Sequence, residues 1–216
     1  LSAAFLHRHS KHDINVRGLL TEVPEEIARE MKAVHMHTAR RNLHLYGELK
    51  QIAEAFSGAG IPIIALKGIA LADRVYDNLA LRHVGDLDLM VPRAQLEQAT
   101  GLMPTLGYKP EKPFFVEVDV AVSQHLPRFR KPGNDDAVEL HWTITNPQRG
   151  YRINEAELWE RAQPIRLNGV DVLSLSPEDL LLHLCLHTSY HHQFAYGMRT
   201  LIDIVRVIRH YGAALD

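Results

Sequence analysis

Cysteine is almost missing from this chain. Cys185 is the only one in 216 residues, and one thiol cannot close an internal disulfide, so a reducing, cytoplasmic setting is expected. No run of about 18 apolar residues occurs, so neither a membrane-spanning helix nor a membrane partner is expected. The opening Leu1-Ser-Ala-Ala-Phe-Leu-His7 is too short and mixed for a signal peptide. The start at Leu1 rather than Met reads as a trimmed chain, and Tyr211-Gly-Ala-Ala-Leu-Asp216, close behind a helical pattern, reads as a cut. Charge of one sign is lacking too: Lys plus Arg number 24 against 26 for Asp plus Glu, a formal net charge of −2. Such a chain has no overall field for gripping long nucleic acid or an anionic membrane. Any phosphate-bearing ligand must be held by a local site.

What is present is ordinary for a soluble globular protein, with 46% hydrophobic and 23% charged residues. The length suits one large domain or two small ones. Changes of hydrophobic period divide the chain into an N-terminal helical segment over 1–57, an α/β core over 58–150, and a hairpin plus helical part over 151–216. Residues 24–57 read as one long helix or two in series. Pro24 suits its first turn, and Ile27, Met31, Val34, Tyr46, Leu49, Ile52 and Phe56 recur at helical spacing. Ile61 to Leu66 is an apolar run that fits a buried strand, and a helix follows from Gly68 to about Tyr76. Asp86 to Val91 reads as a strand, Pro92 to Gly107 as a helix, 114–130 as a noisy strand, and Ala137 to Ile144 as a cleanly alternating strand. Asn154 can cap a short helix. Asn168-Gly169 suits the type I′ turn of a hairpin over 165–172. Ser176-Pro-Glu-Asp179 is a strong helix start, and a last helix spans 197–210.

The most informative stretch is Arg82-His-Val-Gly-Asp-Leu-Asp-Leu-Met-Val91. On a strand, Asp86 and Asp88 project to one side while Leu87 and Leu89 face the other. Two adjacent carboxylates repel each other unless a cation sits between them, and hard divalent ions such as Mg²⁺ take oxygen ligands. Gly85 permits a tight turn or close approach of a ligand. The same tripeptide is also compatible with a solvent-facing strand edge. Glu139, in Val138-Glu-Leu-His-Trp142, shares a side with His141 and offers a third carboxylate. Leu66-Lys67-Gly68 closes an apolar strand and opens a helix, whose free N–H groups suit a phosphate, with Lys67 as a nearby charge.

Strand, glycine turn, helix, paired-Asp strand, and a later strand with a third acid: this order resembles the polymerase-β-type nucleotidyltransferase superfamily. The likeness is closer to its uncharacterised bacterial nucleotidyltransferase branch, with a Leu-Lys-Gly turn at 66–68, Arg-x-x-Gly-Asp-Leu-Asp-Leu at 82–89 and Glu-Leu-His-Trp at 139–142. Leu175 to Leu182, followed by Cys185 and His187, also resembles that branch, so the likeness covers about residues 45–205. It implies a small mixed β-sheet with flanking helices and a mostly helical C-terminal part, an α/β (α+β) fold. It implies two-metal transfer of a nucleoside monophosphate from a nucleoside triphosphate to an acceptor, with Mg²⁺ or Mn²⁺ held by Asp86, Asp88 and Glu139. Gly68 and the backbone after it would cradle phosphate. Lys67 and Arg82 are candidates for neutralising the triphosphate. The acceptor is open, with a small molecule or peptide favoured by the near-neutral charge.

Where the superfamily usually carries Gly-Ser or Gly-Gly, Ile69 follows Gly68, so a phosphate-contacting hydroxyl is missing. This feature favours a rival reading, a non-catalytic nucleotide-binding or regulatory module of the same fold. Histidines supply a second rival. There are 14 in the chain, and His183, His187, His191 and His192 fall in one helical stretch. His183, His187 and His191 at four-residue spacing could share a zinc ion in a hydrolase, or His187 and His191 could join His141 in lining an acceptor cleft. Arg199 and Asp203 read as an ion pair, Cys185 as a packing residue, and Arg128-Phe-Arg-Lys131 as a solvated loop or a phosphate contact.

Overall fold

The computed structural model describes residues 23–133, 136–150, 152–191, 193–195 and 197–215. Pro24 precedes α1 (Glu25–Gly58), one unbroken helix with Glu25 and Glu26 in its first turn, where acids meet the positive end of the helix dipole. At 1.5 Å per residue it is about 50 Å long, more than the sheet beneath it can cover. Burial therefore starts only at Thr38 and runs through Asn42, Leu45, Tyr46, Leu49, Ile52 and Phe56. Ile27, Met31 and Val34 continue the apolar spacing but stand exposed.

β1 (Ile64–Ala65), α2 (Lys67–Arg74) and β2 (Leu87–Met90) follow, then α3 (Leu96–Leu102), which extends through a 3₁₀ turn to Gly107. β3 (Lys109–Pro110), α4 (Val116–Val122), β4 (Phe129–Arg130) and β5 (Ala137–His141) complete the middle of the chain. The strand expected over 114–130 is the helix α4 in its first part, and only Phe129–Arg130 at its end is strand. Its alternating valines find no neighbouring strand, only Val120 is buried, and the Phe115 N–H donates to Asp119 Oδ2 at 3.1 Å. That local bond caps a helix, which wins over β propensity that no pairing supports.

Beyond residue 150 come α5 (Glu155–Arg161), the hairpin β6 (Gln163–Leu167) and β7 (Val170–Ser174), then α6 (Pro177–Leu186) and α7 (Met198–Tyr211). Asn168 and Gly169 have φ of 45° and 87°, the two left-handed positions of a type I′ turn. Ser176 caps α6 by accepting from the Asp179 N–H. Cys185 lies on the exposed side of α6, not in its packed face; the helix buries Leu180, His183 and Leu184 instead.

The strands form a seven-stranded mixed sheet in the order β3-β4-β5-β2-β1-β7-β6. β2 runs parallel to β5, and β1 parallel to β7; the other neighbours are antiparallel. Both faces are covered. One core joins α1 and α3 to Leu87, Leu89, Val138 and Leu140. The other joins Ile64, Leu66 and Met90 to Leu158, Leu180, Leu184 and Val207 from α5, α6 and α7. Among the described residues no helix is long and apolar enough to cross a membrane.

Candidate active site

The parallel register of β2 and β5 sets Asp88 beside Glu139 and Met90 beside His141. Because Leu87, Leu89, Val138 and Leu140 point into the α1 core, alternation turns Asp88, Glu139 and His141 to the opposite face. Asp86 precedes β2 by one residue on that same side. The irregular stretch leading to it is pinned by α1. Asn42 Nδ2 donates to the carbonyls of Leu79 and Arg82, and Asn42 Oδ1 accepts from the Val84 N–H at 3.1 Å. Arg41 donates to the carbonyls of Val84 and Gly85 at 2.9 and 2.7 Å. One turn further along α1, the Tyr46 hydroxyl donates to the Ile69 carbonyl at 2.9 Å.

Three acids in one place demand counter-charge, and the chain supplies it. Lys67 Nζ lies 3.0 Å from Asp88 Oδ1, and His141 Nε2 is 3.0 Å from the same oxygen and 3.4 Å from Glu139 Oε2. Arg128 Nε is 2.7 Å from Glu139 Oε1, with its Nη2 3.5 Å from Asp86 Oδ2. His125 packs against His141 with ring centroids 5.0 Å apart. Burial pushes the Asp88 carboxyl up, but Lys67 and the His141 hydrogen bond outweigh it and hold it well below the usual carboxylate range. Burial likewise raises Glu139, and His141 brings it down to about 2. Asp86 has only the longer contact with Arg128: burial and the charges of Asp88 and Glu139 outweigh Lys67 and Arg128 and push it up to about 6. Burial lowers His141, yet its bonds to Asp88 and Glu139 raise it overall. Lys67 reaches Asp88 from a left-handed backbone position, φ 41°, a conformation that costs an L-residue roughly 1–2 kcal/mol.

A cleft of about 720 Å³ opens over this floor, bringing Lys67, Gly68, Arg82 and Gly85 together with Asp86, Asp88 and Glu139. His187 also lines it. His141 is 1% exposed; it lies behind the carboxylates and not on the cleft wall, since β5 alternation aims it at Asp88. His191 closes a π turn over His187–His191, and its side chain, like His192, lies outside the described residues. The histidine helix thus ends at Leu186. Among the described residues, the cluster able to hold a metal is Asp88, Glu139 and His141, with ligand atoms within 4.8 Å of one another. Asp203 pairs with Arg82, Nη2 to Oδ2 2.8 Å, rather than serving only its own helix.

Two site residues escape a reading of the sequence. Arg128 immediately precedes β4 and is no solvated loop residue: Phe129 pairs with Val138, which brings Arg128 level with Glu139, and Arg128 Nε lies 2.7 Å from Glu139 Oε1. The apolar Phe129 between two arginines is the available signal. His125 forms an isolated antiparallel bridge with His141 of β5, and nothing local announces it. The cluster suits a divalent cation. Carboxylate oxygens are the ligands that Mg²⁺ and Mn²⁺ prefer, and an imidazole is tolerated by Mn²⁺.

A mixed sheet with paired acids at the head of one strand, a third on its parallel neighbour, and a glycine turn leading into a helix beside them defines the nucleotidyltransferase fold. The chain matches, over residues 2–216, the family described as uncharacterised nucleotidyltransferase, and it belongs to that family. The antibiotic-resistance factor ANT(2'')-Ia, in its solution structure, has TM-score 0.57 and 11% identity, covering 80% of this chain and 87% of that one. The crystal structure of ANT(2'')-Ia in complex with adenylyl-2''-tobramycin gives TM-score 0.56 and 14% identity, covering 78% and 90%. The lincosamide antibiotic adenylyltransferase LnuA, lincomycin-bound, has TM-score 0.49 and 14% identity, covering 77% and 94%. No curated protein matches the chain.

Proposed function

We propose that this protein transfers a nucleoside monophosphate from a nucleoside triphosphate to a small-molecule or peptide acceptor. The observation that carries the reading is the register pairing of Asp88 with Glu139 on the floor of a cleft that also holds Lys67 and the start of α2. Asp86, Asp88 and Glu139 would hold Mg²⁺ or Mn²⁺, and divalent cations bound there would stabilise the attacking and leaving oxygens of an in-line displacement. The acceptor hydroxyl oxygen attacks the α-phosphorus and its proton passes to solvent, the bond to the oxygen bridging to the β-phosphate breaks, and pyrophosphate leaves. Free N–H groups in the first turn of α2 at Gly68 face the phosphates, with Lys67 and Arg82 as the nearby cations. Glu139, held ionised to about pH 2, is suited to bind a cation rather than to accept a proton near neutrality. Without a metal, Lys67 and Arg128 neutralise the acids; in the loaded site they are freed toward the triphosphate. The small-molecule acceptor class is supported by cleft size and by the adenylyl-2''-tobramycin bound in the structural neighbour.

The rival reading as a non-catalytic module rested on Ile69. That side chain is fully buried in the α1 core, so a hydroxyl at this position would face the core and not the cleft. The test is calorimetric binding of each nucleoside triphosphate, with and without Mg²⁺, to wild type and to the folded Asp86→Asn/Asp88→Asn double variant. Binding that requires both metal and acids is expected. Metal-independent binding that survives the double change would move the nucleotide elsewhere, and no binding at all would favour the non-catalytic module.

A further inference from the structure

Arg82 stands in the irregular stretch before Asp86, where a long side chain is ordinarily free to swing. Here it is fixed from three sides. Asp203, on α7 and 1% exposed, accepts from Arg82 Nε at 3.3 Å and from Nη2 at 2.8 Å. The third donor, Nη1, bonds the His83 carbonyl at 2.9 Å. The Tyr76 hydroxyl donates to Asp203 Oδ1 at 2.7 Å, and Arg206 sits over the Tyr76 ring, 5.1 Å from its centroid. On the remaining side the guanidinium is packed against the first turn of α2. A Cβ on Gly68 would fall 2.7 Å from Arg82 Nη1, so only glycine leaves the room it occupies.

Building on the nucleotide reading above, we infer that Asp203 is a positioning residue. Together with Tyr76 it holds the Arg82 guanidinium flat beside the Gly68 turn, where it meets the charge-rich end of a bound triphosphate. A two-point carboxylate contact fixes the plane of a guanidinium as well as its place. The residue that aims the cation is 121 positions away in sequence. It lies on a helix that contributes no acid to the metal cluster. Gly68 therefore has two roles, leaving amides open to phosphate and giving Arg82 its seat.

The experiment compares Asp203→Asn, Arg82→Lys and the double variant with wild type. Affinities are measured for the tightest-binding Mg-nucleoside triphosphate and for its monophosphate. Asp203→Asn should weaken triphosphate binding about tenfold, the scale seen when a residue that orients a binding group is lost. Monophosphate affinity and the thermal midpoint should change little by comparison. The double variant should be no weaker than Arg82→Lys, because the aspartate acts through the arginine. Unchanged triphosphate affinity in folded Asp203→Asn, equal losses for both nucleotides, or additive effects would each overturn the inference. If Asp203→Asn fails to fold, Gly68→Ala, which dislodges the guanidinium directly, must show the same selective loss, and wild-type affinity there overturns the inference. Wild type that binds no triphosphate overturns the nucleotide reading and this inference with it, whereas failure of the variants alone leaves that reading standing.

Discussion

Ile69 illustrates how one position can mislead when only its neighbours are read. It follows the phosphate turn, yet its side chain is wholly inside the α1 core and its carbonyl is occupied by Tyr46. Ile69→Ser should therefore cost about 3–5 kcal/mol, from a lost side chain plus a buried hydroxyl without a partner. Triphosphate affinity should not improve; denaturant unfolding and calorimetry check the two halves. His183 carries a different consequence. Burial, with Lys67 and His187 nearby, holds its imidazole well below the usual value of 6.5. The unfolded chain therefore binds a proton that the folded chain refuses. That contribution to stability is complete above pH 6.5 and is lost as pH falls toward the folded value. Unfolding free energy should decline between about pH 7 and about pH 5 more steeply in wild type than in His183→Gln. Equal slopes would show that this imidazole is protonated in the native state.

Among the elements, those with local signals are the ones a sequence reveals. The Asn168-Gly169 turn, the Ser176 cap and the alternation of β5 each act within a few residues, and each forms as the pattern dictates. The first half of α1 and the valine-rich α4 did not follow their patterns to burial or to a strand. In both, what decides is whether a partner surface is within reach. The stretch over 79–85 is the extreme case, with no regular structure of its own and a shape dictated by Arg41 and Asn42 of α1. Asn42 is fully buried and serves two carbonyls and one N–H. Asn42→Ala would strand all three, with an expected loss of about 2–4 kcal/mol. Metal-dependent nucleotide binding should weaken alongside, because Arg82 and Asp86 lie on the loosened segment. A thermal midpoint unchanged from wild type would refute this account of the loop.

At the scale of the molecule, the three acids were legible because strands force alternate residues to one face and parallel neighbours into register. Of the groups that balance charge around them, Lys67 and His141 stand in the motifs themselves, whereas Arg128 and the carboxylate that pairs with Arg82 do not. Arg128 arrives through the pairing of β4 with β5, and Asp203 through the docking of α7, contacts that no window of the sequence contains. The turn at Leu66 to Gly68 and the stretch over 79–85 are two limbs of the cleft rim that touch where Arg82 and Val84 meet Gly68. Both are tied to the buried half of α1, through Tyr46 on one side and Asn42 and Arg41 on the other. Neither limb can let go without releasing bonds to that helix. Amide hydrogens over 66–70 and 79–86 should accordingly exchange with solvent at the pace of Leu45 to Phe56, as one cooperative unit with a shared denaturant dependence. Faster, independent exchange in the loop would break that link. If the unit holds, a segment with no regular structure will be among the last parts of this protein to let water in.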